Sequence, residues 1–361
     1  MSLISTSSDA TEETPGGAGS DLGRVIRTLV HRLSEDDSAL PVEGRLPGFA
    51  GATGWLNSEP LTPEGLRGRV VLVNFWTYTC INWLRTLPYV RAWSAKYRDQ
   101  GLTVIGVHTP EFAFEHRRDN VIAAAGDLTV EYPIALDNDY AVWQAFANHF
   151  WPAIYVADAE GRIRYHHFGE REYAMTEMAI QQLLTDGGAD AIDGELVQVT
   201  PGGLEADADW PNLRSVETYL GYGRTTGFAS PDHPRFDEPH RYPDAPGLRL
   251  NQWAPVGNWT ITQHAAVLND AGGRIAFRFH ARDVHLVMGP AVRGGAVPIR
   301  VRIDGRGPGD AHGLDVDESG SGTVTQQRLH QLIRQREPIA ERLFEIEFLE
   351  AGVETYCFTF G

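Results

Sequence analysis

Cysteine is scarce in this sequence: two in 361 residues. That excludes a small secreted scaffold stapled by disulfides. No apolar run approaches the roughly 20 residues that cross a bilayer, so no membrane insertion is expected. The first ten residues lack a basic stretch followed by an apolar one, the mark of a secretory signal. These absences together predict a cytoplasmic protein with reduced thiols. Positive charge is also short, with 31 Lys and Arg against 48 Asp and Glu and a net charge of −17. Nucleic acid and anionic membranes are poor partners for such a surface. No Cys/His spacing fits a zinc site. His166 and His167 are adjacent on a predicted strand, so they point to opposite faces and cannot chelate together. Neither a metal nor a cofactor is called for.

What is present sorts into segments. The length predicts two domains with tails, and 42% apolar residues are enough for ordinary cores. Residues 1–40 read as a disordered tail and a short amphipathic helix carrying Val25, Ile26, Leu29, Val30 and Leu33. Residues 41–187 alternate strands and helices. The run at 69–75 (RVVLVNF) is nearly continuously apolar, as in a strand covered on both faces. A helix is predicted over 80–98 and a second strand over 102–108. Helices follow over 114–125 and 140–149, a hairpin from 153–157 and 162–167, and a helix over 175–184. This is a layered α/β domain. Residues 188–210, rich in Gly and Asp, read as a linker. In 211–361 the period changes to two. Ile275, Phe277 and Phe279 alternate with polar neighbours, as do Val297, Ile299, Val301 and Ile303, and Phe344, Ile346 and Phe348. Half-buried strands punctuated by Gly and Pro predict an all-β sandwich of jelly-roll type.

The chemistry concentrates in 73–91, VNFWTYTCINWLRTLPYVR. A buried strand ends at Phe75 and Trp76, and a short turn delivers Cys80 to the start of a helix. A thiolate there meets unpaired backbone N–H groups and the positive end of the helix dipole. Both favour the anion, so the thiol pKa is expected to fall. Such a thiolate attacks disulfides or peroxides.

With these residues in view, the chain resembles the thioredoxin superfamily, and within it the redoxin-like module of DipZ-type cytochrome c biogenesis proteins. FWTYTCIN, GLTVIGVHTPEFAFE, YPIALDNDYAVW and WPAIYVADAEGRIRYHHFGE carry the likeness. It runs from about Gly68 to Leu184 and continues more weakly to the C-terminal FTFG. The resemblance implies a thioredoxin-like fold followed by a carbohydrate-binding-module-like jelly roll. It makes Cys80 the attacking cysteine, Pro88 the proline of the active-site helix, and Pro152 a cis-proline that turns Trp151 towards substrate. Two positions depart from the family. Trp83 stands where the resolving cysteine would be, and Asn74 replaces the buried acid that helps deprotonate it. Without a second thiol there is no proton to relay, and a buried carboxylate has no job.

The expected function is therefore a single-cysteine thiol redox or antioxidant protein with weak or no dithiol–disulfide reductase activity. Its partners would be protein or low-molecular-weight thiols and disulfides, with peroxide as a further substrate class. Thr77, three residues before Cys80, echoes a peroxidatic Thr-x-x-Cys, but the upstream proline of that pattern is Val73. Trp76, Thr77, Tyr78, Asn82, Trp83, Trp151 and Pro152 make up the vicinity. Trp83 is read either as a lid or as filling for a vacated volume, and Trp76 and Tyr78 either as walls or as core. His108 and Glu111 are candidates to line the site. The alternative reading is a non-catalytic peptide- or protein-binding scaffold with Trp76, Trp83 and Trp151 as its contact surface. Cys357 alternates out of phase with its aromatic neighbours and reads as structural, since pairing with Cys80 across domains would need a large coincidence of geometry. Trp253, Trp259, Tyr219 and Tyr222 read as sandwich core or, less well supported, as a sugar-stacking platform.

Overall fold

The computed structural model describes residues 40–190 and 192–361. The tail and helix expected before residue 40 lie outside the described residues. The first sheet has seven strands: β1 (Gly44–Arg45), β2 (Gly54–Leu56), β3 (Val70–Trp76), β4 (Leu102–His108), β5 (Ile134–Leu136), β6 (Ala153–Ala157) and β7 (Arg162–Phe168). Four helices accompany it: α1 (Ile81–Tyr97), α2 (Arg118–Asp127), α3 (Ala141–Ala145) and α4 (Tyr173–Asp186). The spatial order is β1-β7-β6-β3-β4-β5-β2. Strands β3, β4 and β5 are parallel, and the others pair antiparallel.

The apolar run at 70–76 explains the centre. All seven residues of β3 are buried. Val71, Val73 and Phe75 join Ile105, Val107, Phe146 and Tyr155 in one core cluster. Leu72, Asn74 and Trp76 take the opposite face, because successive strand residues alternate. This second face lies under α1, where Trp83 meets both Asn74 and Trp76. The helix predicted over 114–125 is broken: a short 3-10 turn (Ala113–His116) precedes α2, and Arg117 between them is extended.

Eleven strands follow: β8 (Thr218–Tyr219), β9 (His240–Tyr242), β10 (Trp253–Ile261), β11 (Ala266–Leu268), β12 (Gly273–Phe279), β13 (Asp283–Pro290), β14 (Val297–Ile303), β15 (Ser321–Val324), β16 (Arg328–Arg334), β17 (Arg342–Phe348) and β18 (Val353–Phe360). They form one antiparallel path, β15-β14-β17-β12-β10-β11-β18-β13-β16, with β8 on β18 and β9 on β10. The sheet curls on itself. Phe277 and Phe344 of one half meet Phe358 of the other at 5.1 and 5.7 Å between ring centroids. The expected mostly-β second half is therefore present.

Residues 42–361 form one unit, and the two sheets pack on each other within it. Arg85 of α1, 1% exposed, pairs with Glu170 at 3.0 Å and donates to the Phe360 carbonyl at 3.0 Å. Tyr356 lies against Phe112 and Phe114 at 5.1 and 5.0 Å. The segment read as a linker is strapped down. The Val197 amide donates to Glu177, and Arg91 pairs with Glu205 at 2.7 Å. Its Gly and Asp content describes irregular backbone rather than freedom.

Candidate functional site

Cys80 is the N-cap of α1, with extended backbone at φ −76° and ψ 112°. Its Sγ faces the Trp151 carbonyl at 3.8 Å, and the Trp151–Pro152 bond is cis. Cys80, Asn82 and Trp151 keep partial solvent access. Trp76, Thr77, Trp83 and Pro152 are buried, and Tyr78 is nearly so. The expected vicinity is thus brought together, but as a half-buried sulfur over a packed bed.

Trp83 belongs to that bed. It is fully buried and stacks on Trp76, with centroids 4.3 Å apart and planes inclined by 24°. Its indole N–H donates to Asn74 Oδ1 at 2.9 Å, and Asn74 Nδ2 donates to the Ala153 carbonyl at 3.3 Å. The two departures from the family are therefore hydrogen-bonded to each other. Close packing also dictates Gly106, where a Cβ would stand 2.8 Å from Trp76 Nε1 and 2.9 Å from the Tyr132 ring. His108 lies inside as well, with its ring against Trp76 at 4.9 Å and Tyr78 at 5.8 Å. Both its nitrogens lack a hydrogen-bond partner, and burial lowers its pKa to about 3. It is a neutral core residue rather than a lining one.

Glu111, a candidate to line the site, acts on the thiol together with Glu217, and it is held by residues the sequence did not announce. Glu111 Oε1 accepts from Tyr219 Oη at 2.5 Å and from Arg224 Nη1 at 2.7 Å. The same hydroxyl lies 3.1 Å from Glu217 Oε2, and the Arg224 guanidinium covers the Tyr219 ring at 3.5 Å. Glu217, Tyr219 and Arg224 come from the second sheet and its flanking loop, so no local signal near Cys80 could have found them. The Glu111 loop is itself held by buried Glu115, which accepts from Thr79 Oγ1 at 2.5 Å and from the amides of Glu111 and Phe112 at 2.5 and 2.9 Å. Burial raises the Glu115 carboxyl to about 7.

This surrounding reverses the expected sign at Cys80. The amides of Trp83 and Asn82 do pull the thiol pKa down, but neither closes a full cap hydrogen bond. Enclosure by protein outweighs them, and the charges of Glu111 and Glu217 add to it, so the thiol is pushed above its ordinary range. The sugar-stacking platform fails on burial. Trp253 and Trp259 are fully buried, with their indoles bonded to Thr226 and Val256 carbonyls. Tyr219 is committed to Glu111 and Tyr222 to Asp237. Among the described residues, no group of three or more His, Cys, Asp or Glu is placed to hold a metal. No helix of the described residues is long and apolar enough to cross a membrane.

The Tyr219 hydroxyl gives a direct test of the seam. Tyr219→Phe removes a charge-assisted hydrogen bond, worth about 1–2 kcal/mol net. The urea midpoint should drop accordingly. An unchanged midpoint would mean that the Glu111 contact carries no weight.

Two family profiles match this chain. The one described as Redoxin covers residues 42–183, and the one described as Thioredoxin like C-terminal domain covers 215–361. The chain carries a redoxin domain on a thioredoxin-like fold, followed by a thioredoxin-like C-terminal domain. Protein DipZ of Mycobacterium bovis is 34% identical over 365 residues, which is 99% of this chain and 48% of that protein. The chain thus spans about half the length of the DipZ relatives. Thiol-disulfide oxidoreductase YkuV of Bacillus subtilis is 29% identical over 141 residues, 39% of this chain and 95% of that protein. A thioredoxin-like protein solved in solution in its oxidized form covers 40% of this chain and 97% of its own, at 30% identity and TM-score 0.38.

Proposed function

We propose that this chain is a thiol oxidoreductase that attacks through Cys80 and has little dithiol reductase activity from its active-site helix. One observation carries the reading. Cys80 caps α1 and faces the Trp151 carbonyl before the cis-proline, while Trp83 fills the fourth position of the motif. The name of YkuV supports the chemical class. Cys80 thiolate attacks a protein or low-molecular-weight disulfide and forms a mixed disulfide as one substrate thiolate leaves. With a peroxide it takes one oxygen and becomes a sulfenic acid as the O–O bond breaks and the other oxygen leaves as hydroxide or alkoxide; a thiol then reduces the sulfenic acid. That second route is the antioxidant role. Asn82 and Trp151 meet substrate at the rim, Pro152 fixes the Trp151 backbone, and Trp76, Thr77, Tyr78 and Trp83 hold the sulfur from beneath. Two free thiols fit a reducing compartment such as the cytoplasm.

The raised thiol predicts a particular reactivity. Iodoacetamide should modify Cys80 in the native, reduced protein, and the rate should climb about tenfold per pH unit through pH 9. Peptide mass mapping reads the site. A plateau near pH 7 would contradict the raised pKa. Full protection of Cys80 up to pH 10 would overturn the catalytic reading and leave the scaffold reading, which the enclosure of the sulfur favours.

A further inference from the structure

Both cysteines of the chain face one seam. Tyr219 of β8 stands directly opposite Cys357 of β18. Opposed residues on paired strands project from the same face, with Cβ atoms about 4.5–5.5 Å apart. Phe358 and Phe360 point into the second sheet's core, so alternation turns Cys357 outward. Tyr219 shows where outward leads: its ring meets Phe112 at 6.3 Å and its hydroxyl reaches Glu111.

The first sheet approaches the same place from the other side. Thr79, next to Cys80, is bonded to Glu115, which holds the Glu111 amide. A bulge in β18 at Tyr356 puts that residue on the same side as Cys357, and it pins one end of this outward face there, on Phe112 and Phe114, with Phe114 beside Tyr78. The other end is pinned at Arg85, which binds the Phe360 carbonyl. Residues 356–360 therefore run alongside residues 78–85. Cys357 lies three residues before its pin, about 10 Å along a strand. Cys80 lies five residues before its pin, about 7.5 Å along a helix. The two pins set the stretch that carries Cys357 alongside the start of α1, and Cys357 Sγ lies 3.4 Å from the Phe358 carbonyl. Glu111 and Glu217 act on the titration of both thiols, consistent with this placement.

We propose that Cys357 is the resolving thiol for Cys80, supplied by the second sheet in place of the cysteine that Trp83 displaced. The proposal rests on the reading of Cys80 as the attacking thiol. Cys80 thiolate attacks a substrate disulfide, one Cys80–substrate S–S bond forms, and the first substrate thiolate leaves. Cys357 then attacks Cys80 Sγ. The Cys80–Cys357 bond forms as the mixed disulfide breaks, and the second substrate thiolate takes the proton that Cys357 gives up. The substrate is reduced to two thiols, and the two protein thiols are oxidised to one disulfide.

The test uses the reduced full chain and dithiobis-nitrobenzoate, a chromogenic disulfide. Wild type should release about two equivalents of the coloured thiolate and end lighter by two hydrogens, with a peptide pair joining residues 80 and 357. Cys357→Ser and Cys357→Ala should each release about one equivalent and keep the aromatic adduct on Cys80, with the second release at least about tenfold slower. A wild-type protein that holds a stable adduct on Cys80 overturns the resolving role and leaves Cys80 as the attacking thiol. Cys357 variants that match wild type overturn it equally. A Cys80 that never reacts removes both readings at once.

Discussion

Replacing Trp83 with alanine will destabilise the protein by about 3–5 kcal/mol, the range for losing a buried tryptophan. The upper part of that range is expected here. Trp83 is fully buried and stacks on Trp76, so its removal opens a void beneath α1. It also orphans Asn74 Oδ1, a buried acceptor whose partner in the structure is the indole N–H. Trp83→Phe keeps much of the stack and loses the hydrogen bond, so it should cost about 1–3 kcal/mol. The contrast between the two variants separates packing from polarity. Trp83→Cys rebuilds the Cys-x-x-Cys spacing and should give measurable insulin reduction despite a lower melting temperature. A drop of under about 1 kcal/mol for Trp83→Ala, by urea unfolding, would show that the site collapses around the gap and that Trp83 is not the filler described.

How much of this could be read in advance depended on where each residue's partners lie. The strand over 102–108 and the strand over 153–157 match β4 and β6 because unbroken apolar runs between turns specify buried strands locally. The helix over 140–149 shrank to α3, since Ala147 takes a positive φ of 48° and ends it. The break at Arg117 follows a turn in which Glu115 is held by Thr79, a partner from a distant part of the chain. At the site, the helix start at Cys80 was legible, and so was the pairing of losses at positions 74 and 83. Their hydrogen bond was not, because it depends on side-chain geometry across two elements. The sign of the Cys80 shift was misread because burial of the thiol, with the charges of Glu111 and Glu217 added, outweighs the helix amides, and Glu217 comes from more than 130 residues away, where period-two patterning says nothing about what faces the helix.

Acid will begin to destabilise this protein above the range in which surface carboxylates titrate. His108 and His285 are buried, and burial lowers each from 6.5 to about 3. A group that resists protonation in the fold accepts it readily once unfolded. Between pH 6.5 and 3 the unfolded chain therefore binds more protons, and stability falls as pH falls. Each histidine contributes its full share above pH 6.5 and loses up to about 5 kcal/mol by pH 3. Glu115 opposes this. Raised from 4.5 to about 7, it is neutral in the fold where the unfolded chain has ionised, so it adds stability as pH falls from 7 to 4.5. Its shift is smaller than that of His108 or His285, and buried His330, lowered to about 4, is a third group on the losing side, so the net slope is loss. The urea midpoint at pH 7, 5.5 and 4.5 should decline throughout, most steeply below pH 5.5, where Glu115 nears the end of its compensation. His108→Phe, between Trp76 and Tyr78, should flatten the slope by about one proton while leaving the His285 part intact. An unchanged slope in that variant would mean that His108 is protonated in the folded protein, and the closed packing around it would be wrong.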